Sequence, residues 1–395
     1  MTRLRTISTH RLIALCVAAV LGLAGVATIA VAATGGGPTP PPKPLAQALH
    51  DAATAAAPAG VTARVTFTNS LIDASGITEG RNPLLAGAKG RLWISAGGDV
   101  RLELQSQGGG GDAQLVLRGD ELTIFDAASS TVYRATLPAD HAQDAGAGSQ
   151  DPPTLAAVKR ALSRLADVAA IGEATPASIA GREAYTVRFS PRRDGGLVGG
   201  ASLAWDAANG VPLRAAVYAV GRNDPVLELA ATDVSFGAVD DATFAISPPP
   251  DATVVDLSPK GEAASGDHDA PAKPVTGLDA VRAKVGFPLS APSTLAGMSR
   301  ARVGLIQGDE KNGAVVTYGK GLGGIAVVQT PAGDAKDEGP GRDSGIATVD
   351  LGGGVRALKL ETALGTAITF TRDGVRYVVV GSVTGDTALA AARGL

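Results

Sequence analysis

The sequence predicts an α+β protein: a large antiparallel sheet covered by helices, followed by a second, smaller α+β domain that is also built on an antiparallel sheet. Three observations carry this. The stretch 201–250 alternates Ala201, Leu203 and Trp205 with Ser202, Ala204 and Asp206, turns at Asn209-Gly210, and resumes period two at Val211, Leu213, Ala215 and Val217. Short alternating segments with the same period recur between residues 63 and 136 and again between 301 and 380. Helical spacing is confined to a few short stretches, at 45–57, 151–165, 278–285 and 387–392.

The bulk numbers set the frame. With 395 residues the chain exceeds one ordinary domain and fits about two. Hydrophobic residues make up 45 %, enough for sizeable cores. Basic and acidic side chains number 35 and 38, so the sequence lacks the electrostatic footprint of a nucleic-acid binder. The single cysteine, Cys16, rules out an internal disulfide and a thiolate zinc site. His10, His50, His141 and His268 are scattered over leader, early helix, polar loop and linker, so no metal site is expected, and no cofactor.

Residues 1–34 read as an export segment. Arg3, Arg5, His10 and Arg11 precede Leu12 to Ala33, twenty-two residues without a charge. Two readings stay open. Ala30-Val31-Ala32 suits cleavage of a signal peptide, whereas the length of the apolar run suits a retained membrane anchor. Either way the remainder is expected outside the cytoplasm. Cys16 follows Leu15 rather than a small residue and reads as a buried small hydrophobe, not a lipid attachment site. Residues 35–44, rich in Pro and Gly, read as a stiff spacer of roughly 3 Å per residue that would hold the first domain off the membrane.

The first domain is expected over 45–257. An alanine-rich helix at Leu45–Ala57 ends before Pro58 and Gly60. Ala63, Val65 and Phe67 alternate with Arg64, Thr66 and Thr68, giving one dry face and one wet one. A meander follows through Arg91–Ala96, Val100–Gln105, Leu115–Leu117, Glu121–Phe125 and Thr131–Thr136. Asp151-Pro152 reads as a helix start, and Leu155, Val158, Leu162 and Leu165 form one apolar stripe opposite Lys159, Arg160 and Arg164. The nearest partner for that stripe is the dry face of the sheet. Tyr185, Val187 and Phe189 form the next strand, and the hairpin of the first paragraph, joined by Val226–Phe236, completes the sheet.

These residues carry a resemblance. Trp205, Asp206, Gly210, Pro212, Leu213 and Arg214, with Phe244, Pro248 and Pro249 closing the domain, are similar to the pattern of the LolA/RseB-like superfamily of envelope lipoprotein and lipid carriers over about 45–257. The resemblance implies a half-open β-barrel whose concave apolar face is covered by helices and admits acyl chains. Val65, Phe67, Leu102, Leu104, Leu115, Leu117, Val187, Phe189, Leu203 and Trp205 are the candidates for that face, with ordinary core packing as the competing reading of each. Aromatic content of only 4 % departs from the aromatic-lined cavities of such carriers.

Residues 258–275 are polar, Gly/Pro-rich and aperiodic, a linker. Residues 276–395 resemble a carboxy-terminal domain of unknown function in bacterial envelope proteins, through Phe287, Pro288, Leu289, Pro292, Tyr318, Gln329, Gly374, Val375 and Tyr377. Three motifs fail on context. Gly319 to Gly324 fits GxGxxG, but Ile325 to Thr330 reads as a strand where a dinucleotide site needs a helix. Arg342-Asp343-Ser344-Gly345 lacks a histidine base in a protease-like context. Asp240 and Asp241, adjacent on an extended chain, point to opposite faces and serve as turn polar groups.

With no catalytic constellation assembled, the expectation is a non-enzymatic, extracytoplasmic protein of the bacterial cell envelope that binds lipid or lipoprotein acyl chains. The alternative is a membrane-anchored RseB-like sensor that binds an envelope protein partner such as an anti-sigma factor.

Overall fold

Alternation along β1 (Gly60–Asn69) shows how the first sheet is built: Val61, Ala63, Val65 and Phe67 are buried, whereas Arg64 is exposed and Thr62, Thr66 and Thr68 lie between. A strand that dries one face only belongs in an antiparallel sheet covered on that side. The computed structural model describes residues 37–71, 87–106, 111–136, 154–193, 195–256, 275–307, 312–332 and 347–395. The leader with Cys16, nearly all of the linker with His268, and Arg342–Gly345 lie outside the described residues. The chain divides into two units, one of Met1–Ser70, Glu79–Arg192 and Gly200–Pro259, the other of Leu71–Thr78, Arg193–Gly199 and Lys260–Leu395.

In the first unit helix α1 (Leu45–Thr54) precedes β1. It stops short of Ala57, with Ala55 already extended. The meander follows as β2 (Ala88–Ser95), β3 (Val100–Ser106), β4 (Asp112–Arg118), β5 (Glu121–Asp126) and β6 (Thr131–Thr136). Helix α2 (Leu155–Ala166) leads to β7 (Ala169–Ile171), β8 (Thr175–Ile179) and β9 (Arg182–Pro191), then β10 (Val198–Asp206), β11 (Pro212–Ala219) and β12 (Leu227–Phe236). A 3-10 turn at Asp241–Phe244 and β13 (Thr253–Asp256) close the unit. The sheet runs β13-β6-β5-β4-β3-β2-β1-β12-β11-β10-β9-β7, with β8 also paired to β9. It is a large, curved antiparallel sheet that does not close into a barrel, and β13 runs parallel to β6. Helix, meander, helix and returning strands follow the order read from the sequence.

Turns differ from expectation in instructive ways. Asn209-Gly210 does not make a two-residue turn, since of the pair only Gly210 takes a positive φ. Asp206 takes over instead: its Oδ1 accepts from the Ala208 and Asn209 backbone N–H groups, and its Oδ2 accepts from Arg182 Nε at 2.7 Å. Asp151-Pro152 lies outside the described residues; helix α2 is capped at Thr154, whose Oγ1 accepts from the Ala157 N–H. Asp240 does act as a turn polar group, capping the 3-10 turn through the Ala242 N–H. That turn packs on the outer face of the meander, where Arg101 donates to the carbonyls of Thr243 and Ala245 and to Gln114.

The second unit begins with helix α3 (Leu278–Arg282), then β14 (Thr294–Leu295), β15 (Met298–Ile306), β16 (Gly313–Tyr318), β17 (Ile325–Pro331), β18 (Ala347–Asp350), β19 (Arg356–Thr362), β20 (Gly365–Arg372) and β21 (Val375–Gly381), and ends in helix α4 (Gly385–Arg393). The eight strands form one sheet in the order β14-β15-β16-β17-β21-β20-β19-β18. Gly319–Gly324 is a turn running into β17, as the failed dinucleotide motif requires. At Asp373-Gly374 both residues take positive φ, the geometry of a tight two-residue hairpin.

Tyr318 is buried in this core, its Oη has no hydrogen-bond partner among the described residues, and burial pushes its pKa up to about 12 from 10.0. The folded state therefore holds the phenol proton where the unfolded chain has lost it. The resulting stability is whole below pH 10 and is lost as pH rises towards about 12. We expect Tyr318→Phe to flatten that alkaline slope and to leave neutral-pH stability unchanged or raised by about 1 kcal/mol. Denaturant midpoints measured from pH 7 to 12 check it, and an unchanged slope would remove Tyr318 as its source.

Candidate functional site

The ten sequence candidates fall on one face of the first sheet, and the strand register shows why. Phe67 pairs with Ala88 and Val65 with Gly90; Gly90 pairs with Leu104, Leu104 with Ala113, Leu102 with Leu115. Side chains directly opposite share a face, so Val65, Phe67, Leu102, Leu104, Leu115 and Leu117 line one side of β1, β3 and β4. On the other flank Phe67 pairs with Leu229 and Leu229 with Ala215. Ala215 packs into the cluster of Val187, Phe189, Leu203 and Trp205, which joins the remaining candidates to the same face. Nine of the ten are buried, and Leu117 is half-buried.

The cover over β9 and β10 is α1, with one residue of α2. Leu45, Ala48, Leu49 and Ala52 of α1 and Leu165 of α2 pack on Tyr185, Val187, Phe189, Leu203 and Trp205. Small residues let α1 sit close: a Cβ on Gly210 would come within 2.6 Å of the Ala52 carbonyl oxygen. Helix α2 is different. Its stripe was expected to be buried on the dry face, yet no residue of the helix is buried. Leu155, Val158, Leu162 and Leu165 are all only half-buried.

Polar groups are few on this face. The Trp205 ring, 2 % exposed, lies 6.2 Å from that of Tyr185. Its Nε1 is buried and has no acceptor among the described residues. Tyr185 Oη donates to the Pro41 carbonyl at 2.6 Å, and Lys43 lies over the Tyr185 ring. Lys43 also pairs with Asp51 of α1 at 2.6 Å; this hydrogen bond raises the Lys43 pKa and lowers that of Asp51. The described part of the spacer, Gly37–Pro44, is thus seated on the first unit rather than standing clear of it. Pro40 is buried, and a Cβ on Gly37 would collide with Ser178 of β8. Sequence reasoning missed this seat, although the run of prolines with Lys43 ahead of α1 was in view.

Among the described residues, no group of three or more His, Cys, Asp or Glu side chains converges. No described helix is long and apolar enough to cross a membrane.

No protein-family profile matches the chain, and no curated protein matches it. Solved structures do. MucB in complex with MucA(peri) is 16 % identical, with 88 % of this chain and 97 % of that chain covered, at a TM-score of 0.39. The Pseudomonas aeruginosa MucA/MucB complex is 15 % identical, with 88 % and 96 % covered and the same TM-score of 0.39. A LolA superfamily protein from Nitrosomonas europaea is 12 % identical, with 52 % and 98 % covered, at a TM-score of 0.23.

Proposed function

We propose that the chain is a non-enzymatic, extracytoplasmic cell-envelope protein that binds the acyl chains of a lipid or lipoprotein on the covered face of its first sheet. One observation carries this: a continuous apolar face is covered in part by a helix, α2, none of whose own residues is buried. A cover held mainly through Leu165 and α1 can lift with little lost area, and acyl chains then replace one apolar contact by another. The Trp205 N–H, without an acceptor among the described residues, gives that surface a polar feature suited to an ester or amide carbonyl of acylated cargo.

The test is native mass spectrometry, with organic extraction, of residues 37–395 exported into a membrane-bearing host. Reproducible extra mass that extracts as lipid, and that is lost in Leu104→Glu and in Phe189→Glu, supports the reading. Because a buried glutamate can unfold the sheet, Trp205→Phe serves as a gentler variant, expected to weaken retention of ester-bearing lipid while the protein stays folded. A folded chain with a clean apo mass and no uptake from vesicles overturns it.

A second reading, a sensor that binds an envelope protein partner, is favoured by the second sheet. On the face away from α4, Val315, Val328, Val378, Thr369 and Leu358 form one cross-strand row, and Thr317, Ala326, Val380, Ala367 and Leu360 a second, all half-exposed. Arg302, Arg356 and Arg376 lie on the same face. Capture of a defined partner by residues 37–395, abolished by Val378→Asp, would separate this reading from the first.

A further inference from the structure

We propose that α2 is an interfacial helix, whose half-buried stripe and basic side chains dock the first unit on an anionic phospholipid bilayer. Three observations converge on that occupant. The first is the mismatch within the helix: Leu155, Val158, Leu162 and Leu165 recur at the spacing of a buried stripe, yet all four are only half-buried, and Val168, just past the helix, is 65 % exposed. An amphipathic helix that keeps its apolar side partly open has area left to bury, and an interface plane accepts a helix of about 18 Å lying flat.

The second is charge. Lys159, Arg160 and Arg164 are exposed, the helix carries no acid, and Arg192 joins them at the carboxyl end, where its N–H donates to the Val168 carbonyl and its Nε to that of Ala169. None of the four has an acidic partner among the described residues. Basic side chains flanking an apolar stripe complement anionic headgroups.

The third is where the described chain begins. Gly37 is seated beside Ser178 of β8, and the apolar leader ends at Ala33, so the intervening residues span about 14 Å at full extension. Strand β8 pairs with one half of β9, and β7, which continues from α2, pairs with the other half. The leader's exit and α2 therefore flank the same strand, β9. A retained anchor brings α2 to the bilayer surface; a cleaved leader leaves α2 to bind by itself.

This docking does not rest on the acyl-chain reading. The test uses the full chain, with Cys16→Ser and Val168→Cys, labelled at residue 168 with an environment-sensitive dye and reconstituted in phosphatidylcholine nanodiscs with or without phosphatidylglycerol. Expected is a blue-shifted dye, quenched several-fold more by lipid-borne quencher in the anionic discs. The combined change Lys159→Glu, Arg160→Glu and Arg164→Glu should abolish the difference while circular dichroism and melting stay unchanged. For the chain from Gly37 on, which keeps every described element, neutralising the same three residues should lower the vesicle partition coefficient on the order of 100-fold, about fivefold per charge. A dye equally wet in both discs, or charge-reversed protein that binds as tightly, overturns the proposal. So does a blue shift without lipid that tracks self-association, which would hand the stripe to a second copy of the chain.

Discussion

Replacing Asp206 by alanine should lower the stability of the first unit by about 2–4 kcal/mol, as expected for a buried carboxylate that holds several partners at once. The Asp206 side chain is 1 % exposed, whereas Arg182 is 39 % exposed. Loss of the carboxylate leaves Arg182 able to turn to water, so most of the effect arises elsewhere. It comes from the Ala208 and Asn209 N–H groups, which lose their acceptor in a loop pressed against α1 at Gly210. The order of effects follows. Arg182→Ala should cost less than Asp206→Ala, since an exposed partner contributes little, and Asp206→Asn should fall between, keeping an acceptor but no charge. Denaturant unfolding followed by Trp205 emission measures all three. Equal losses for Arg182→Ala and Asp206→Ala would mean that the ion pair, not the loop, carries the stability.

That residue also shows what was legible in the sequence. Asp206 stood out in the Trp205-Asp206 pair, but its task could not be read, because Asn209-Gly210 is the stronger local turn signal and predicts a two-residue reversal. An acceptor buried three residues upstream overrides that signal, and only the folded chain brings Arg182 to it. The long strands were legible because alternation such as Val65 and Phe67 against Arg64 and Thr66 records burial on one side directly. Strands β7, β8 and β13 were not. Ala169–Ile171 is too short for a period, Thr175–Ile179 contains Pro176, and Thr253–Asp256 is defined by a parallel pairing with β6, far away in the chain.

The candidate face shows the same division. Membership was readable, since a residue's place in an alternating strand fixes its side, and strand register then gathers all ten candidates on one surface. The quality of the cover was not. Periodicity in α2 says that an apolar stripe exists, while how much of it is buried depends on the distance between helix and sheet. The sequence reading placed the stripe on the dry face of the sheet; the structure leaves it only half-buried, and both the cargo reading and the bilayer docking arise from that difference.

Gln329→Leu should destabilise the second unit by about 2–4 kcal/mol, although the substitution keeps nearly the same volume and removes a polar group from the core. Gln329 is fully buried on the helix side of β17, opposite Ala314 and Tyr377. Its Oε1 accepts from the Ser290 N–H at 2.9 Å and its Nε2 donates to the Ser290 carbonyl at 2.7 Å. One side chain thus pairs both backbone groups of a residue in the lead-in segment, as a neighbouring strand would. The segment has few alternatives: Pro288 and Pro292 lack N–H groups, and Phe287, Leu289 and Ala291 are only partly buried against the core. With leucine at 329 the Ser290 groups lose their partners, and the apolar gain does not offset that loss. Gln329→Glu provides the decisive contrast, because it keeps the acceptor for the N–H but replaces the amide donor with an oxygen facing the Ser290 carbonyl. It should be at least as destabilising as leucine near neutral pH and recover in part as acid protonates it. Faster cleavage within residues 286–292 under limited proteolysis would accompany both changes. Wild-type resistance in Gln329→Leu would show that proline stiffness and the partly buried Phe287 and Leu289 hold the lead-in segment by themselves.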